Sequence, residues 1–137
     1  MKKVYLQSIL NLFGAINVGN GLWMLFFAQN WFNTLPAGLH DTGPLNKHFV
    51  HDVGMVYFLC GFALLYCAQN LSKSLYLYLA VVLFFVGHAL IHIVEILVGL
   101  LPPSHWLIDM PLIFIPALIL IALMPTILKQ NKSDEIK

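Results

Sequence analysis

The sequence predicts an all-α integral membrane protein, an antiparallel four-helix bundle forming one domain over residues 1–137. Hydrophobic residues make up 60% of the chain and charged residues only 9%, whereas a soluble domain is about a quarter charged. The apolar residues fall into four runs, at about 6–28, 46–69, 75–101 and 106–128. Each reaches or exceeds the ~20 residues that cross a ~30 Å hydrocarbon core. A net charge of +1 argues against a nucleic-acid partner and against a polybasic membrane patch.

The first run follows Met1-Lys2-Lys3 and continues to Ala28, with Asn11, Asn17 and Asn20 inside it. That is longer and more polar than a cleaved signal core, so it reads as a retained span. Gly14, Gly19 and Gly21, together with Asn17 and Asn20, suit close helix contact and interhelical hydrogen bonding. The stretch 29–45 reads as a loop, opened by Trp31 and Phe32 as an aromatic belt and turned by Pro36, Gly38, Gly43 and Pro44. The second run carries Gly54 and Gly61, and Cys60 and Cys67. Seven helical residues separate the two thiols by about 10 Å, too far for a disulfide, so both read as small core residues. Pro102-Pro103 closes the third run, and Met110-Pro111 makes a favourable first turn after Asp109, which would then cap the fourth.

Lysines orient the bundle. Lys2, Lys3, Lys73, Lys129, Lys132 and Lys137 fall on one side and Lys47 alone on the other. The positive-inside rule puts both termini in the cytoplasm of a bacterial inner membrane and turns loops 29–45 and 102–105 outward. Ionisable residues then gather near the outer face. His48, His51 and Asp52 open the second span at i, i+3, i+4; His88, His92 and Glu95 follow i, i+4, i+7 on the third; His105 and Asp109 are at i, i+4. Each set projects from one side of its helix. Glu95, His92 and His88 fall about 9, 14 and 20 Å below the outer end of the third span. A carboxylate unpaired at mid-bilayer costs about 2.5–3.5 kcal/mol. Asp52, Glu95 and Asp109 are therefore expected to be paired, protonated or metal-bound.

Imidazole and carboxylate together are ligands for zinc, iron or copper. Residues projecting inward from facing helices form metal centres in bundles. His48, His51, Asp52, His88, His92, Glu95 and Asp109 are the candidate ligands, centred on His92, Glu95, Asp52 and Asp109. His105 is expected to be a solvated loop residue. In an enzyme, a metal-dependent oxidoreductase or hydrolase, Glu95 or Asp52 is the candidate catalytic base beside a metal-bound water. Met55, one turn below His51, is the methionine best placed to add a soft ligand.

Three alternatives stay open. A metal-free polar network would serve a small proton or ion transport subunit, or an accessory subunit of a homo-oligomer or larger membrane complex. Haem b would need facing imidazoles, His51 with His92 or His48 with His88. A quinone or lipid-like molecule would find Trp23, Phe26, Phe27, Phe84 and Phe85 as lining.

The segment Gly43-Pro44-Leu45-Asn46-Lys47-His48-Phe49-Val50-His51-Asp52-Val53-Gly54 resembles a GPxNxHFVxDxG stretch of small bacterial four-span membrane proteins. In these, His88 to Glu95 has a counterpart of the form HALxHxxE on the third helix. The group is loosely similar to DoxX-like proteins. About twenty residues carry the resemblance. It implies the fold and weights His48 and Asp52 over His51, and it implies no activity.

Overall fold

The computed structural model describes residues 3–135, with side chains through residue 131. Lys2 and Lys137, used above for orientation, lie outside the described residues, as does the Lys132 side chain. The order is α1 (Lys3–Thr34), a 3-10 turn (Leu39–Thr42), α2 (Lys47–Gln69), α3 (Leu75–Leu97), α4 (His105–Ile108), a π-helical turn (Met110–Phe114) and α5 (Ile115–Glu135). No strand occurs among the described residues. Four segments are long and apolar enough to cross a membrane: Lys3–Thr34, Lys47–Gln69, Leu75–Leu97 and Met110–Asn131. That composition suggests a multi-pass membrane protein.

Helices α1 and α2 form the tightest pair. Gln7 Nε2 donates to the Ala68 carbonyl at 2.9 Å, and Gln69 Nε2 to Asn11 Oδ1 at 3.3 Å. Further along, Gly14 meets Gly61 and Gly21 meets Gly54. Numbers rise on one helix as they fall on the other, so this pair runs in opposite directions. The glycines set the spacing. A Cβ on Gly21 would come within 2.6 Å of the Phe58 backbone nitrogen, and one on Gly61 within 2.6 Å of the Val18 nitrogen. Backbones at that distance gain dispersion contacts that longer side chains would prevent.

The remaining helices close a second part of the core. Leu6, Leu10, Leu64, Cys67, Tyr78, Leu120 and Ile127 are fully enclosed in one apolar cluster. Tyr78 on α3 donates its hydroxyl to the Leu120 carbonyl on α5. Cys60 and Cys67 are buried free thiols, as their spacing predicts.

Several boundaries near the site differ from expectation. Helix α1 does not stop at Ala28. It breaks at Phe27 (φ −136°, ψ 41°) and resumes to Thr34. Trp31 and Phe32 are consequently buried rather than spread along an interface. Trp23 Nε1 donates to Asn30 Oδ1 at 2.8 Å across the break, and Trp31 Nε1 reaches Asn20 Oδ1 at 2.9 Å. Eleven residues of straight helix would separate the latter pair by about 16 Å, so the bend is what lets them meet. Helix α3 ends at Leu97, not at 101. A left-handed Gly99 (φ 79°) follows, and the Leu100 and Leu101 amides both donate to the Glu95 carbonyl. The chain is thereby folded back, and the fourth apolar segment is entered through the short α4 and the π turn instead of one continuous helix.

The glycine contacts generate a paired expectation. Gly21→Ala forces a backbone clash and should cost about 1–3 kcal/mol. Gly19→Ala has nothing within 4 Å of the new Cβ and should gain about 0.4–1 kcal/mol by restricting the unfolded chain. Thermal unfolding in detergent reads both signs.

Candidate metal centre

Asp109 sits where α4 passes into the π turn, and its carboxylate is completely buried. Pro111 carries no amide hydrogen, so the helical ladder shifts register. The Asp109 carbonyl accepts from both the Ile113 amide at 2.9 Å and the Phe114 amide at 3.2 Å. This irregular turn aims the Asp109 side chain back toward α3 and α4.

Two imidazoles converge on that carboxylate. His92 Nδ1, from α3, lies 2.8 Å from Asp109 Oδ2. His105 Nδ1, one turn before Asp109 on α4, lies 3.1 Å from Oδ1 and 3.2 Å from Oδ2. The other ring nitrogen of His105, Nε2, lies 3.1 Å from Asp41 Oδ2 in the 3-10 turn between α1 and α2. His105 is fully enclosed, His92 is 13% exposed at its side chain, and Asp41 is 45% exposed. A chain of polar groups therefore runs inward from the loop surface: Asp41, His105, Asp109, His92. Gly38, at φ 60°, lies against the His105 ring, where a Cβ would stand 2.9 Å from Cε1 and Nε2. The loop thus covers His105 with backbone.

The contact between His105 Nδ1 and Asp109 needs a proton or a metal ion between nitrogen and oxygen. If Nε2–H donates to Asp41, a neutral His105 points the Nδ1 lone pair at an anionic oxygen, which is repulsive. A proton on Nδ1 removes the repulsion, and so does a metal ion. Burial by itself lowers the His105 pKa. The hydrogen bonds to Asp41 and Asp109, and then their charges, outweigh it and raise the value above the ordinary 6.5. That shift favours the protonated ring between the two carboxylates.

His92, His105 and Asp109 each offer one ligand atom, and these atoms all lie within 4.8 Å of one another. Among the described residues, no other group of three meets that condition. The expected solvated position of His105 is corrected: the turn at Gly99 and the Pro102-Pro103 step fold it fully inside. Asp41 was not singled out from the sequence. The available signal was that it is the lone acid in the loop 29–45, at the same end of the helices as the cluster.

The other expected ligands fall elsewhere. Val50 and Gly54 pack against α1, and Asp52 is two residues, about 200° of rotation, from Val50. His48 and Asp52 thus face outward, 89% and 64% exposed, as an isolated pair with Nε2 to Oδ2 at 3.5 Å. Packing against α1 turns them from the cluster, and Asp52 is removed from the centre expected for it. His51 is exposed too, lining an open cleft of about 480 Å³ with Lys47 and residues 25–30. Glu95 is half-buried, and its carboxylate has no hydrogen bond or ion pair among the described residues. His88 does approach, with its ring centroid 4.8 Å from that of His92. No ring contact joins His48 or His51 to His88 or His92, the pairs a haem b would need. Comparison with family models, curated proteins and solved structures finds no match to this chain.

Removing the shared carboxylate strands both imidazoles. Asp109→Ala should destabilise the protein by about 3–5 kcal/mol, read as a lowered melting temperature in detergent. The raised pKa of His105 also sets a pH dependence. The folded protein holds that proton more tightly than the unfolded chain does. The resulting stability is complete below about pH 6.5 and is lost as pH rises through the folded value. Melting temperatures in chelator should therefore fall as pH rises above about 6.5, and His105→Gln should flatten that slope.

Proposed function

We propose that this is a membrane-embedded metal-binding protein whose ion is held by His92, His105 and Asp109. The observation that carries the reading is the convergence of two imidazole Nδ1 atoms on one buried carboxylate, with the second nitrogen of His105 already engaged by Asp41. A carboxylate behind a metal-bound histidine fixes its tautomer and raises its basicity. Asp41 is placed to do this for His105. Two nitrogens and one oxygen form a donor set for zinc or ferrous iron, not for calcium or magnesium, which favour all-oxygen surroundings. Three protein ligands leave a coordination position for water or substrate, as in catalytic rather than structural sites. The ion would supply Lewis acidity or an activated water there. Oxidoreductase and hydrolase chemistry are the enzymatic forms this allows.

The setting we infer is an antiparallel four-span bundle in a bacterial cytoplasmic membrane, with both termini inside and the site near the outer face. Exposed large apolar side chains along the long helices support it, among them Phe26 at 73% and Leu83 at 74%. The lysine distribution supports the orientation.

A second reading draws on the same chain. Asp41, His105, Asp109, His92 and His88 form a file of titratable groups from the loop inward, as a small proton-transport or accessory subunit would use. Metal content separates the two. Purified protein should hold one zinc or iron per chain by elemental analysis, and His92→Ala or Asp109→Ala should abolish it. His48→Ala should leave it intact. Asp41→Asn should weaken affinity about 10–100-fold while preserving the stoichiometry. Protein without stoichiometric metal after growth and reconstitution in zinc and iron would reject the metal reading in favour of the relay.

A further inference from the structure

The seam between α2 and α3 contains polar groups that the metal centre does not use. His88 lies one turn from His92 on α3 and is half-buried. It is bounded by aromatic rings. Phe84 stacks on it at an interplanar angle of 7° and 6.0 Å between centroids, and Tyr57 of α2 stands edge-on at 6.3 Å. Tyr57 also meets Phe84 edge-on at 5.5 Å. Neither the His88 nitrogens nor the Tyr57 hydroxyl makes a hydrogen bond among the described residues. They are not sealed off either: the Ser74 hydroxyl is the only enclosed, unpartnered side-chain polar atom among those residues.

This combination is costly as it stands. Polar atoms inside an apolar span lack water as an alternative partner, and each unsatisfied group costs several kcal/mol in hydrocarbon. Yet His88 and Tyr57 keep open surface on a seam of half-buried aromatics. A lipid acyl chain would offer no hydrogen bond, and no lysine lies along this seam to hold a phosphate. What satisfies both nitrogen and hydroxyl, and also packs on flat rings, is a planar ring bearing oxygen.

We propose that the Tyr57–Phe84–His88 seam binds a membrane-dissolved molecule with a planar, oxygen-substituted ring as its head group, a quinoid or phenolic compound. Its oxygens bond to His88 and the Tyr57 hydroxyl, and its ring extends the Phe84–His88 stack. His92 is the next ring along the seam, so the head group lies beside the metal centre and enters from the lipid side, not through the Asp41 loop. This site goes beyond the metal reading and does not rest on it, because every contact invoked belongs to α2 and α3 side chains other than the proposed ligands.

The test uses full-length protein in detergent, in chelator and separately after zinc loading. Decylubiquinone is the probe and 1-decanol the control with a similar chain and no ring. Saturable binding of decylubiquinone but not decanol is expected by calorimetric titration. Tyr57→Phe removes only an oxygen from a packed ring, and His88→Phe keeps the aromatic surface while removing both nitrogens. Each should weaken binding about tenfold or more, while His48→Gln leaves it unchanged. No saturable binding, equal binding of decanol, or wild-type affinity in both Tyr57→Phe and His88→Phe would overturn the proposal. Binding by a protein that takes up no metal would retain this site and reject the metal centre. The converse result would do the opposite.

Discussion

The Asp109 carboxylate is the constraint around which one end of this helical protein is arranged. A fully buried anion must be compensated, and no lysine is near enough to do it: among the described residues, its partners are two histidines. His92 ties it to α3 and His105 to α4, so a single carboxylate joins the third apolar segment to the entrance of the fourth. Asp41 extends the tie to the loop after α1. One buried group thereby fastens three stretches of chain that are distant in sequence. Its cost is offset only while a cation, proton or metal, lies between oxygen and nitrogen.

The irregular features of the fold serve that arrangement. Pro111 shifts the helical ladder and leaves Asp109 at a break, where its side chain is free to turn inward. Gly99 reverses the chain so that His105 is delivered to the inside of the bundle. The Phe27 kink folds the end of α1 back, burying Trp31 and Phe32 beneath the loop that carries Gly38 and Asp41. Packing on the far side is regular by contrast, with glycine contacts between α1 and α2 and a continuous apolar cluster from Leu6 to Ile127. Order and irregularity are divided along the helices: one close-packed end supports the opposite end, whose departures from ideal helix position charge.

Spacing along individual helices made part of the site legible. His88 and His92 at i, i+4 do share a face, and His105 and Asp109 at i, i+4 do bond. Spacing could not say which faces meet. His48 and Asp52 have the same i, i+4 relation, yet Val50 and Gly54 are drawn into the α1 interface and rotate the pair outward. Glu95 is at the right height and only about 60° around the helix from His92, yet it makes no hydrogen bond or ion pair among the described residues. Loop residues were hardest to read. Asp41 sits in a turn without periodicity, and His105 opens a one-turn helix too short to show which of its side chains turns inward.

By itself the sequence determined the number of long apolar helices, their approximate limits and the gathering of ionisable residues toward one end. Those properties depend on composition and on the 3.6-residue period, both local. Only the tertiary structure decided that Asp109 is shared by His92 and His105, that Asp41 backs His105, and that His48, His51 and Asp52 stand apart. Those outcomes depend on helix rotation and on the path of two short connections. They are set by which glycines allow backbones to touch and by where proline and a left-handed glycine interrupt the ladder, so they emerge only when the segments pack against one another.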